Sequence, residues 1–315
     1  MKQFKTILIT LIIFIICSGS IYNLESNTEI TPLEKNVFVI SYGPFEDKLK
    51  ILDWYNDSAK AMSYSKSSMI FRTQKLIDYL RCGSTWHSDS YYDCHEDFLL
   101  DYKIHRMVYS DEIPPYGEDG NFDYAYVYKE FELCNLIKKD KIDEIWIWEN
   151  GNGNASEWIT SKSKNSTGNP LSNNMPPFCG KTTSVLNFNY TRSIDLALHT
   201  FGHRIEGAML THHPEDFSFG AEPMSFASRP SPDNDYVGNC GDIHRPPNVY
   251  TTHDLEYIYD SPAYAISTCD TWSPDDDSIR IKKIISCKDW GCHPGKYYIW
   301  WMQHIPEVWW QDLFK

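Results

Sequence analysis

Eight cysteines spread between positions 82 and 292, downstream of an export signal, constrain this chain more than any other feature of its 315 residues. The signal consists of Lys2 and Lys5, the apolar run from Ile7 to Cys17, and small Ser18, Gly19 and Ser20 ahead of Ile21. That pattern reads as a secretory signal peptide over residues 1–20, and the run is short for a bilayer core about 30 Å thick. The alternatives are an uncleaved N-terminal anchor and a lipid-modified Cys17, the latter disfavoured by bulky Ile16. Cys82, Cys94, Cys134, Cys179, Cys240, Cys269, Cys287 and Cys292 remain after cleavage. An even count in an exported chain predicts four disulfides, chosen from on the order of 100 pairings. A structural zinc site is the rival, but no Cys-x-x-Cys pair occurs and the closest spacing is Cys287 to Cys292. Cys82 and Cys94 are near enough to close a local loop. The mature protein is expected to begin near Ile21 and to carry no free thiol, placing it in a secreted or extracytoplasmic setting.

Charge narrows the partners. The net charge is −14, and residues 1–20 hold two lysines and no acids, so cleavage takes it to −16. A strongly acidic chain with no basic stripe is repelled by phosphate backbones. Neither nucleic acid nor, beyond an N-terminal anchor, a membrane is expected as a partner.

The polar, aperiodic stretch 21–35 reads as a flexible lead-in, and residues 36–315 as a single α/β domain. The β-branched run Asn36–Tyr42 predicts a strand stopped by Gly43-Pro44. Ser68–Leu80 reads as a strand running into a helix, and Tyr124–Lys139 as one helix, with Val127, Phe131, Cys134 and Ile137 in helical spacing. Ile142–Trp148 and Ser184–Asn189 read as strands, with a helix from about Arg192 to Leu210 after the second. This alternation predicts a mainly parallel sheet sandwiched by helices. Beyond His212 the periodicity is lost, which predicts a long, loop-rich, disulfide-stapled C-terminal part.

The helix from Arg192 carries the strongest chemical signal. At about 100° per residue, His199, His203 and Glu206 fall within one narrow stripe, and the apolar positions Leu198, Phe201 and Ile205 lie about 120° away. Two imidazoles one turn apart with a carboxylate can converge on a divalent cation such as zinc. Gly202 and Gly207, near the stripe, would let another segment approach. The spacing is a partial likeness to the His-Glu-x-x-His helix of zinc peptidases, whose glutamate is the general base. Thr200 stands in that place here, so a base must come from elsewhere, and Glu149 at a strand end is the candidate. Arg204 and Arg192 are candidates for holding an anionic substrate group. A loop must complete the metal set, with His244 the first candidate and His293 the second.

Five ordered motifs also carry a resemblance. Asp143-Glu144-Ile145-Trp146-Ile147-Trp148, Phe188-Asn189-Tyr190, Phe201-Gly202-His203-Arg204-x-Glu206, His244-x-Pro246-Pro247-Asn248 and Trp300-Trp301-x-x-His304-Ile305-Pro306 look like a pattern shared by uncharacterised secreted proteins. The resemblance spans roughly residues 140–306 and implies no reaction. The expected function is a secreted, hydrolase-like protein with a His/Glu site that zinc would complete, acting on a small-molecule, peptide or glycan substrate. The alternative is a non-catalytic carbohydrate-binding or surface interaction protein, with Trp146, Trp148, Tyr190 and Trp290 as the stacking platform.

Overall fold

Val37, Phe38, Val39 and Ile40 are all fully buried, so β1 (Leu33–Tyr42) is covered on both faces. An apolar run without alternation is what a strand of a helix-covered parallel sheet requires. β1 pairs in parallel with β4 (Leu100–Ser110) on one side and β5 (Glu144–Glu149) on the other, and β8 (Thr183–Asn189) follows β5 in parallel. β6 (Trp158–Ser161) and β7 (Thr167–Gly168) add antiparallel strands, for a sheet order β4-β1-β5-β8-β6-β7. β2 (Leu49–Leu52) and β3 (Ala59–Met62) form a separate antiparallel pair. The computed structural model describes residues 31–43, 49–52, 59–62, 65–88, 91, 94, 97–150, 155–161, 167–168, 175–219, 225–229, 237–249, 256–275 and 279–314. The expected signal peptide and most of the lead-in lie outside the described residues.

Helices cover both faces of the sheet. α1 (Lys66–Gly83), α4 (Asp195–His212) and α5 (Pro294–Gln303) pack on the face that presents Trp146, Trp148, Leu186 and Phe188. α2 (Tyr124–Glu130) and α3 (Leu133–Lys138) pack on the other, against Phe38, Ile40, Ile145 and Ile147. The expected α/β architecture is therefore the observed one.

Local expectations need three corrections. Leu33–Lys35 are the start of β1, paired from Leu33 to Leu100, so the ordered strand begins inside the stretch read as lead-in. Ser68–Leu80 is helical throughout, because Ser65 caps α1 and exchanges backbone-to-hydroxyl bonds with Ser68 in a capping box. The single helix expected over Tyr124–Lys139 is two, broken where Glu132 adopts φ 50°. Its periodicity survives the break because both pieces bury apolar residues on the same sheet face. β4, an edge strand, is buried over Leu100–Tyr102 and partly exposed beyond.

The C-terminal part contains the short pair β9 (Ala265–Ser267) and β10 (Lys283–Ile285), tight helical turns, and α5. Four disulfides join Cys82–Cys94, Cys134–Cys179, Cys240–Cys269 and Cys287–Cys292. All eight cysteines are used, and such bonds persist in an oxidising environment. Among the described residues no helix is long and apolar enough to cross a membrane.

Asp270 ties this part together. Its carboxylate accepts from Lys283 Nζ at 2.7 Å and faces His304 Nε2 at 3.3 Å, while His304 Nδ1 donates to the Trp300 carbonyl at 2.7 Å. The bond to His304, with help from Lys283, holds the Asp270 carboxyl far below the usual carboxylate range. A depressed folded-state pKa stabilises above the unfolded value of about 4 and loses that contribution as the pH falls below it. Asp270 is 31% exposed, so the effect is discounted for solvent. Asp270→Asn should cost about 1 kcal/mol at pH 7, or about 2 °C in Tm, and the gap to wild type should begin to narrow as the pH falls below about 4. Thermal melts of both proteins from pH 3 to 7 would check it; a constant gap would mean the carboxylate charge is irrelevant.

Candidate metal centre

α4 begins six residues after β8 ends, so its first turns lie near the carboxyl end of that strand, where open α/β sheets bind ligands. Leu198, Phe201 and Ile205 anchor the helix in the core. The stripe carrying His199, His203 and Glu206 turns instead toward the loop of His244. Gly202 makes that approach close: a Cβ there would lie 2.3 Å from Ile243 Cδ1. What the expected glycine gap admits is a neighbouring side chain, and Trp158 fills the equivalent space over Gly207.

The His244 loop is built rigidly. Gly241 sits at φ +72°, where a Cβ would meet the Arg245 carbonyl oxygen at 2.4 Å. Asp242 and Arg245 exchange backbone hydrogen bonds at 3.0 and 3.1 Å. Cys240 is pinned by its disulfide to Cys269. Buried aromatic residues hold the loop's carbonyls: Trp301 Nε1 donates to Gly241 at 3.2 Å, Tyr297 Oη to Asp242 at 2.7 Å, and Tyr259 Oη to Ile243 at 2.9 Å. Such posts explain much of the aromatic content of the C-terminal part.

His199, His203 and His244 each offer one ring nitrogen, all within 4.8 Å of one another. The group could hold a metal ion. His203 Nε2 and His244 Nε2 are 3.1 Å apart, and the rings of His199 and His244 stack at 4.9 Å. A tetrahedral zinc with bonds of about 2.0–2.1 Å sets its ligand atoms about 3.4 Å apart, a spacing that the His203–His244 pair is near. His203 Nδ1 donates to Glu206 Oε2 at 2.8 Å, while Glu206 Oε1 accepts from the Ile243 amide at 2.9 Å. A carboxylate on Nδ1 leaves Nε2 as the ligating atom and fixes the ring. Glu206 therefore serves as a buttress to His203 and clamps the loop to the helix.

The three rings differ in proton affinity. Burial, then the neighbouring His203 and His244, push His199 well below the ordinary histidine range. Burial and His203 also lower His244. Burial lowers His203 as well, but its bond to Glu206 and that residue's charge outweigh it and leave it raised. Among the described residues, His199 Nε2 is buried with no hydrogen-bond partner. A neutral imidazole with an unsatisfied buried nitrogen is costly unless something outside the chain meets it.

Glu157 was not anticipated. Its Oε2 lies 3.5 Å from His203 Nε2 and 3.9 Å from His199 Nδ1, at the open side of the cluster. Pairing of β6 with β8 puts it there, and its carbonyl accepts from the Asn187 amide at 2.8 Å. Tyr257 Oη, also unanticipated, is 3.1 Å from His244 Nε2, and Glu256 is 3.7 Å from His244 Nδ1. None of these residues has a local sequence pattern; only long-range pairing and loop return bring them in.

The other expected site residues divide. Arg192 is close enough for its charge to lower His199 and Tyr257, as minor contributions. Glu149 follows Ile145 and Ile147 on the face of β5 that packs on α2, where burial raises Tyr116 and Tyr124 and the charge of Glu149 adds to it. That face is opposite to α4, so the crevice expected to join Glu149 with Glu206 does not form, and Glu149 cannot be the base. Arg204 points into the core, with an ion pair of 2.5 Å to Glu144 and a bond of 2.7 Å to the Leu313 carbonyl. Its expected substrate role is corrected to a structural one. His293 caps α5, accepting from the Gly295 amide at 3.2 Å. Trp146, Trp148 and Trp290 are 0% exposed and Tyr190 2%, so these four rings cannot stack on a sugar.

No protein-family model matches the chain, and no curated protein matches it.

Gly202→Ala should test the contact between helix and loop. The new methyl would displace Ile243, whose amide holds Glu206, at a cost of about 1–3 kcal/mol. Urea denaturation should show that loss. Unchanged stability would mean that the loop yields freely.

Proposed function

We propose that this chain is an exported zinc-dependent hydrolase whose metal ligands are His199, His203 and His244. The observation that carries the reading is the convergence of three imidazoles, one neutral and with an unpartnered buried nitrogen, on a rigid scaffold. A purely structural cluster would pair its polar atoms internally. Three histidine ligands with a fourth position open is the arrangement of catalytic rather than structural zinc. Bound zinc would polarise a substrate oxygen and lower the pKa of a water toward about 7.

The chain's own residues supply the rest. Glu206 orients His203. Glu157 replaces Glu149 as the proton acceptor, because its carboxylate borders the ligating nitrogens. Tyr257 Oη, beside His244, would donate to a developing oxyanion, and Arg192 adds positive charge at the same end. The substrate is a small molecule, peptide or glycan that reaches the centre from solvent.

The test is a panel of chromogenic esters, peptide amides, glycosides and phosphate esters, offered to chelated and to zinc-restored protein. Hydrolysis of one class, lost on chelation, recovered with zinc and reduced by Glu157→Gln, is expected. Turnover unaffected by chelation would remove zinc from the reaction.

A further inference from the structure

A cavity of about 530 Å³ adjoins the histidine cluster, within the range of about 300–1,000 Å³ typical of small-molecule sites. His203, His244 and Glu206 form one end, and Trp158, Leu210 and Phe219 form an apolar wall beside them. Leu210 comes from α4, Trp158 from β6, and Phe219 from the segment that follows α4. Gly207 lacks a Cβ where one would meet the Trp158 ring at 2.3 Å, so the indole lies directly on the helix. Leu210 stands one turn beyond Glu206 on the same side. Leu210 is 40% and Phe219 46% exposed, so both present apolar surface to the cavity.

The charged groups of the cavity already have partners. Arg245 is 2.5 Å from Glu256 and 3.5 Å from Asp242. Glu206 is bound by His203 and by the Ile243 amide. Among the described residues lining the cavity the one cation, Arg245, is already paired, and the carboxylates would repel an anion. A neutral apolar group is what this wall can bury.

Resting on the zinc-hydrolase reading, we infer that the cavity is a specificity subsite that seats a phenyl-sized or branched aliphatic side group of the substrate against Trp158, Leu210 and Phe219, with the bond to be cleaved at the histidine cluster. The substrate class is then a neutral acyl or peptidyl compound with a bulky apolar group next to the scissile carbonyl. Sugars and phosphate esters lack that group.

Two hydroxamates separate the claims, because both chelate zinc and only one carries the arm. Their affinities for the zinc-loaded protein would be measured calorimetrically, with zinc content determined for every sample. Phenylacetohydroxamate should bind at least about 10-fold more tightly than acetohydroxamate, the gain expected from burying an aromatic ring. The double variant Leu210→Ala/Phe219→Ala should lose that preference, and because neither side chain belongs to the buried core it should melt close to wild type. Equal affinity of the two probes for wild type would overturn the subsite and leave the zinc reading standing. A protein that takes up no zinc, or whose zinc admits neither probe, would overturn both.

Discussion

Arg204→Ala should destabilise the protein by about 3–5 kcal/mol, the usual cost of stranding one member of a buried ion pair. The partner left behind is Glu144, which is 0% exposed at the centre of the sheet. Glu144 Oε1 is 2.5 Å from Arg204 Nη2, and Oε2 accepts from Tyr102 Oη at 2.8 Å and from Trp146 Nε1 at 3.0 Å. Burial already pushes the Glu144 carboxyl up, against the opposing pull of Arg204 and the two hydrogen bonds. Removing the guanidinium would take away the largest opposing pull and push that carboxyl further up. It would also free the Leu313 carbonyl, which accepts from Arg204 Nη2 at 2.7 Å. At about 2–4 °C per kcal/mol, Tm should fall by roughly 6–20 °C. The double change Glu144→Leu/Arg204→Met should recover much of this, since an apolar pair can replace a buried ion pair at little cost. A loss under about 1 kcal/mol would show that water reaches the pair.

His203→Ala should abolish measurable zinc binding, a loss of at least about 100-fold, because even partners one step removed from the metal are worth about 10–100-fold. His203 is central to the cluster. Its Nε2 lies 3.1 Å from His244 Nε2 and its Nδ1 2.8 Å from Glu206. Glu206→Gln keeps the shape and weakens the acceptor, so it should cost about 10–100-fold in affinity. Zinc titrations of the three proteins, with melting curves to confirm folding, provide the check. If both variants bind zinc like wild type, the ion sits elsewhere.

How much of this was legible depends on how local each pattern is. The strands β1, β5 and β8 and the helix α4 announce themselves in short apolar runs and helical spacing. The stripe of His199, His203 and Glu206 follows from helical geometry alone. The fate of Arg204 was also implicit: it follows His203 directly, which turns it about 100° away around the helix and toward the core. Strand parity likewise assigns Glu149 to the face of Ile145 and Ile147, opposite Trp146 and Trp148. His244 could be proposed only as a rigid-loop histidine, since the disulfide and aromatic bonds that place it reach far along the chain. Glu157 had no signal at all. It is one acid in a polar stretch, and only the antiparallel return of β6 against β8 carries it to the histidines.

The central claim is that three imidazoles of this fold hold zinc. Metal content of the purified protein, with Tm recorded before and after chelation and zinc return, tests it most directly. The account predicts about one zinc per chain, since one such cluster occurs among the described residues, a Tm that falls on chelation, and recovery with added zinc. A wild-type protein that is metal-free as purified and whose Tm is unmoved by zinc would contradict it.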